Sequence, residues 1–142
     1  MDKKTKTLIT VETVVNAPID TVWKKWTNPD DIVKWNNASD DWHTTRAEND
    51  LKIGGKFVSR MEAKDGSMGF DFEGTYDDIK SNELIEYTIG DSRKVKVHFS
   101  NGDDKTKVIE VFEAENENPI AMQQSGWQSI LNNFKKYTES KL

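Results

Sequence analysis

The chain of 142 residues is 35% hydrophobic and 32% charged, with a formal net charge of −5 and no cysteine. This length supports one domain with one core, and a single domain over residues 1–142 is expected. The acidic balance, with Lys and Arg interleaved among acids, argues against nucleic acid as a partner; the lack of cysteine excludes disulfides and thiolate chemistry; no stretch approaches the ~18 apolar residues of a membrane span.

Met1-Asp2-Lys3-Lys4-Thr5-Lys6 is charged and has no apolar stretch of the kind a signal peptide needs, so a cytoplasmic protein is expected. Thr7 to Val15 alternates, with Ile9, Val11, Thr13 and Val15 on one face and Thr10, Glu12 and Val14 on the other. That pattern predicts a half-buried strand. Asn16-Ala17-Pro18 ends it, with Asn16 placed to cap a helix and Pro18 suited to its first turn. Ile19, Val22, Trp23 and Trp26 then recur at helical spacing, and Thr27-Asn28-Pro29 breaks the helix. A second short helix follows, with Asp30 and Asp31 near its positive end and Ile32, Val33 and Trp35 as its apolar side.

Asn36 to Asp41 reads as a polar loop and Trp42 to Glu48 as a short strand. Asn49-Asp50 makes a turn, and Gly54-Gly55 a second turn or a bulge. Phe57, Ser59, Met61 and Ala63 share one face of the next strand, and Lys64-Asp65-Gly66-Ser67 is a hairpin turn. Phe70, Phe72, Gly74 and Tyr76 face one way on the strand after it. Ser81-Asn82 turns the chain; Ile85, Tyr87 and Ile89 form another inward set; Gly90-Asp91 turns it again. Val95, Val97 and Phe99 then point inward, with Lys94, Lys96 and His98 outward. Asn101-Gly102 is the strongest hairpin signal in the chain. In the last strand, Thr106 to Ala114, the size of Phe112 sets the register. Val108 and Phe112 go inward, which carries Glu110 onto the buried face. Asn118-Pro119 is expected to cap and open a long helix. Its stripe runs from Met122 or Gln123 through Gly126-Trp127, Ile130-Leu131 and Phe134 to Tyr137.

This order predicts an α+β fold: a curved antiparallel sheet of about six to seven strands, two short helices after the first strand, and a long C-terminal helix covering the buried face. A curved sheet closed over a helix leaves a cleft unless large side chains fill it.

The stretch Asn16-Ala17-Pro18-Ile19-Asp20-Thr21-Val22-Trp23-Lys24-Lys25-Trp26-Thr27, followed by Trp35, resembles the opening motif of START-like (SRPBCC) helix-grip proteins. More narrowly it is similar to the family named after the C-terminal domain of the activator of the ninety-kilodalton heat-shock protein ATPase. Gly54-Gly55-Lys56-Phe57, Gly74-Thr75-Tyr76, Glu83-Leu84-Ile85-Glu86-Tyr87-Thr88 and Gly126-Trp127 with Leu131-Asn132-Asn133-Phe134 carry the resemblance over nearly the whole chain. It implies the helix-grip fold with a cavity between sheet and helix. The family spans small bacterial proteins of unknown role, a co-chaperone domain, and relatives that bind lipids or cyclise polyketides, so fold alone does not assign an activity. A chaperone contact follows only by family analogy, and the co-chaperone's N-terminal domain has no counterpart in these 142 residues.

An aromatic and methionine set, Trp35, Trp42, Phe57, Met61, Phe70, Phe72, Tyr87, Phe99, Met122 and Trp127, either lines a cavity for a hydrophobic or aromatic ligand or fills its own core. Glu110 is the sharpest polar candidate: a carboxylate on an apolar face is costly unless paired, and its pKa rises. It could orient a ligand or act as a base, with Arg60 or Lys56 as partners only if they turn inward. His43 stands beside Trp42 near the expected cavity mouth, as an acid/base, a polar anchor or an ordinary loop histidine; His98 reads as solvated. Asp40-Asp41-Trp42-His43 matches no metal-ligand spacing, so no metal and no cofactor are expected. Gly66-Ser67-Met68-Gly69 lies in a hairpin and is no nucleophile elbow, Gly54-Gly55 lacks the following helix of a phosphate loop, and Glu113 to Glu117 reads as a solvated connector. Three functions stay open: a small-molecule binding protein without catalysis; an enzyme of the cyclase, hydrolase or isomerase kind using Glu110, His43 or Tyr87; and a protein-interaction module.

Overall fold

A computed structural model describes residues 7–90 and 92–141. The charged leader Met1–Lys6, and Asp91 of the expected Gly90-Asp91 turn, lie outside the described residues. The elements run β1 (Leu8–Val15), α1 (Ile19–Thr27), α2 (Pro29–Trp35), β2 (Trp42–Asn49), β3 (Lys56–Ala63), β4 (Gly69–Lys80), β5 (Leu84–Ile89), β6 (Lys94–Asn101), β7 (Thr106–Glu113) and α3 (Ile120–Ser140). One seven-stranded antiparallel sheet has the order β1-β7-β6-β5-β4-β3-β2. Strands β2 to β7 form a meander, and β1 closes against the last of them. The two short helices therefore carry the chain from one edge of the sheet to the other. The expected α+β architecture and the inward sets of β1, β3, β5, β6 and β7 are those observed.

Two devices curl the sheet. The long strand β4 pairs with β3 through its first half (Gly69–Thr75) and with β5 through its second (Gly74–Lys80). Gly74 sits at the overlap, where an added Cβ would lie 2.6 Å from the Thr88 carbonyl oxygen and 2.8 Å from the Phe57 ring. Register also slips between Tyr76 and Asp78, and between Thr44 and Arg46. Such bulges bend a strand and raise its twist. The first of them keeps Ile79, rather than Asp78, on the inner face opposite Ile85.

Helix α3 is strapped to β1. Gln124 and Gln128 donate side-chain amides to the carbonyls of Thr10 (3.2 Å) and Glu12 (3.1 Å), and Lys135 donates to that of Val14 (2.7 Å). Its last turns hold α1 and α2: the Tyr137 hydroxyl donates to Asp31 (2.6 Å), which Lys25 also reaches (3.4 Å). Trp26, Trp35 and Phe134 meet with ring centroids 4.8–5.0 Å apart, packed at this end of the core.

Three local expectations are corrected. Asn16 does not cap α1, whose N-cap is Pro18; the Asn16 backbone N–H donates instead to Glu139 Oε2 at 2.8 Å, tying the chain to α3. Asn118 does not cap α3 either, because its backbone and side-chain N–H groups both donate to Glu115 (2.7 Å each) while its carbonyl accepts from Gln123 (2.8 Å). Asn101-Gly102 is not a two-residue turn. Asn101 pairs with Thr106, and the loop between them has Asp104 at positive φ (55°). A tight turn at Asn-Gly would slide β7 along β6 and break the Phe99–Val108 and Val95–Phe112 pairs, so apolar matching outweighs turn preference.

Phe134 is fully buried at the meeting of all three helices. Phe134→Ala is expected to lower unfolding stability by about 3–5 kcal/mol, read from urea denaturation; an unchanged midpoint would contradict this packing.

Candidate functional site

Because α3 is held along β1, its backbone does not cover the inner face of β3, β4 and β5. The space between is a cavity of about 530 Å³, within the range of about 300–1,000 Å³ usual for small-molecule sites. Phe57 and Met61 from β3, Phe70, Phe72 and Tyr76 from β4, Ile85 and Tyr87 from β5, and Trp127 and Ile130 from α3 form its walls. Trp26, Ile32 and Trp35 close one end. Phe70, 48% exposed and 5.9 Å from the Trp42 ring, marks the rim with exposed Ala38 and Ser39. Trp127 lies flat on Phe112, centroids 3.9 Å apart at 13°, and turns an edge to Phe72 at 6.2 Å. Phe57 is wedged between Tyr87 (4.9 Å) and Tyr76 (5.2 Å).

Of the residues the sequence nominated, Trp35, Trp42, Phe57, Met61, Phe70, Phe72, Tyr87, Glu110 and Trp127 line this one cavity. Three do not. Phe99 is buried beyond it, its ring packed on Trp23 (5.2 Å) and Trp26 (5.8 Å). Met122 is 60% exposed; α3 begins one residue out of phase with that choice, and Gln123 takes the inward place. His43 alternates away from Trp42 and stands opposite Glu62 across the β2–β3 pair. Trp26, Tyr76, Arg93 and Ile130 are wall residues the sequence did not nominate. Ile130 sits three residues after Trp127 on the same helix stripe, and Tyr76 ends the inward set of Phe70 and Phe72, so periodicity alone points to both.

The polar groups of the cavity are few. Tyr76 donates its hydroxyl to Asn49 Oδ1, and Asn49 donates in turn to the Thr27 carbonyl (2.6 Å), locking this corner. Arg93 stands at the edge and donates to the Glu113 carbonyl (3.3 Å). Glu110 does face inward: it is 5% exposed, opposite Val11 on one side and Val97 on the other. Among the described residues its carboxyl has no hydrogen-bond partner, and burial alone pushes its pKa up to about 8. Burial, and then the nearby Glu110 charge, holds the Tyr87 hydroxyl well above its ordinary value. Arg60 pairs outside with Glu62 (3.1 Å) and Asp71 (3.5 Å), and Lys56 is exposed, so neither serves Glu110. No group of three His, Asp or Glu side chains among the described residues is arranged to hold a metal.

A profile of the family described as activator of Hsp90 ATPase homolog 1-like protein matches residues 16–139. The AHSA1-like protein of Aeromonas hydrophila, solved in solution, shares 44% identity with a TM-score of 0.90, covering 95% of this chain and 94% of that one. A protein of Cytophaga hutchinsonii, also solved in solution, shares 56% identity with a TM-score of 0.81, covering 94% and 92%. A Chromobacterium violaceum protein at 20% identity, TM-score 0.84 and 94% and 98% coverage shares the fold. No curated protein matches the chain.

At pH 7 Glu110 is mostly protonated when folded and ionised when unfolded, so the folded state binds the extra proton. Stability therefore falls as pH rises from the unfolded value of 4.5 to about 8, by a few kcal/mol. Glu110→Gln is expected to flatten this slope and to be the more stable protein at pH 9. Parallel stability–pH curves for the two would contradict the buried carboxyl.

Proposed function

The chain belongs to the activator of Hsp90 ATPase homolog 1-like family, and on that premise we propose that it is a binding protein for a small, largely apolar molecule held between the sheet and α3. The observation that carries this reading is the cavity itself: about 530 Å³ with aromatic walls and one buried carboxyl without a partner among the described residues. An apolar guest would exchange water for aromatic faces at about 25 cal/mol per Å² of apolar area removed from water, and a single polar group would fix its orientation. A general acid or base must stand within hydrogen-bond reach of the proton it moves. His43 lies off the cavity, which removes one of the acid/base candidates and favours binding over an enzyme of the cyclase or hydrolase kind.

Titration of ¹⁵N-labelled protein with a library of fatty acids, sterols and planar aromatics is expected to give saturable shifts centred on Trp42, Phe72, Glu110 and Trp127. Shifts absent for every class would overturn the reading. Ser59, buried on the cavity wall beside Phe72, offers a second test. Ser59→Leu would fill the space, abolishing those shifts while leaving the unfolding midpoint unchanged or raised. If it unfolds the protein instead, the wall at Ser59 is already close-packed.

A further inference from the structure

We propose that the ligand of this cavity is an aromatic or otherwise apolar molecule carrying one basic nitrogen, which pairs with Glu110. This rests on the binding reading above and specifies its ligand.

Three observations converge. Glu110 is placed by the β7 register in the cavity wall between Val11 and Val97, with no hydrogen-bond partner among the described residues. Buried polar groups in folded proteins are paired as a rule, so an unpaired one in a ligand-sized space is a place for a ligand group. Apart from Glu110 itself, the charged groups around the cavity are Glu48 and Glu115 against Arg93, a negative balance. Arg93 is itself engaged with the Glu113 carbonyl. Such a wall disfavours a carboxylate or phosphate guest and favours a cation. Finally, the rings of Trp127, Phe72 and Tyr87 surround the same space, and aromatic faces attract a desolvated ammonium.

A neutral carbonyl or hydroxyl would receive one ordinary hydrogen bond from the carboxyl. An ammonium donates a charge-assisted one to the carboxylate, roughly twice as strong. The proton balance is simple. An amine arriving neutral takes the carboxyl proton as the O–H bond breaks and an N–H bond forms. An amine arriving as ammonium sends the carboxyl proton to solvent. The other titratable groups on elements around Glu110 are Tyr87 from β5, Tyr76 from β4, Arg93 before β6, Glu48 from β2 and Glu115 after β7; α3 contributes only Gly126, Trp127 and Ile130. Both tyrosines are neutral at pH 7 and burial raises them further, leaving Glu110 as the buried group whose proton moves.

The test uses three matched probes on the intact chain: 2-naphthylmethylamine, 2-naphthylmethanol and 2-naphthoic acid. Calorimetry at pH 7 is expected to give an affinity for the amine at least ten-fold above the alcohol, with the acid weakest. Repeating the amine titration in buffers of different ionisation enthalpy is expected to show close to one proton released per ligand. In Glu110→Gln the amine is expected to fall to the affinity of the alcohol measured on the same variant, and the proton release is expected to vanish. Equal affinities for amine and alcohol, tighter binding of the acid, or no proton release overturns the amine assignment while the binding reading stands. If no probe binds, and the wider library gives no shifts, both readings fall together.

Discussion

The flat stack of Trp127 on Phe112 decides where the long helix lies, and most of the molecule's character follows from it. With ring centroids 3.9 Å apart and planes within 13°, the pair fixes α3 over the β7 side of the sheet. Gln124, Gln128 and Lys135 then hold it along β1 through that strand's free edge carbonyls. A helix held there is too narrow, at about 10–12 Å across with side chains, to cover seven strands as well. The inner face of β3 to β5 must either be filled by its own side chains or remain a cavity.

At one end it is filled. Trp26, Trp35, Phe134, Phe99 and Trp23 interlock edge-to-face and tilted, so the two short helices form a solid floor. At the other end Phe57, Phe72, Tyr76 and Tyr87 contact one another around the wall and leave the middle open. The difference lies in curvature. Strand β4 carries a bulge at Asp77 and a glycine where its two partners overlap, so the sheet curls where these rings stand.

Glu110 is the element this architecture tolerates at a cost. The pairs on either side of it, Val108 with Phe99 and Phe112 with Val95, outweigh the penalty of one carboxyl, and protonation softens that penalty at neutral pH. Buried groups that lower stability and face a cavity are characteristic of functional sites. The family supplies the fold and no chemistry in particular, so the chemistry of this cavity is read from its own carboxyl and the charges around it.

Much of this was legible in the residues. Period-two alternation placed nearly every strand and its inner face, including Glu110, because a one-residue slip would turn Phe112 to solvent. The helical stripe identified Trp127 as a wall residue. What local patterns could not decide were the relations between elements. Asn16 and Asn118 look like helix caps, yet Glu139, brought to Asn16 by the fold, and Glu115, three residues before Asn118, take their N–H groups. Asn101-Gly102 looks like a tight turn, yet strand matching overrides it. Phe99 and Phe72 carry the same signal, but one lies beneath the short helices and the other on the cavity wall across from Trp127. Sequence by itself therefore determined which side chains face inward, since that depends only on backbone periodicity. Whether those inward side chains form a core or a cavity was decided only by the tertiary structure, because it depends on the distance between a curved sheet and the helix strapped to its edge.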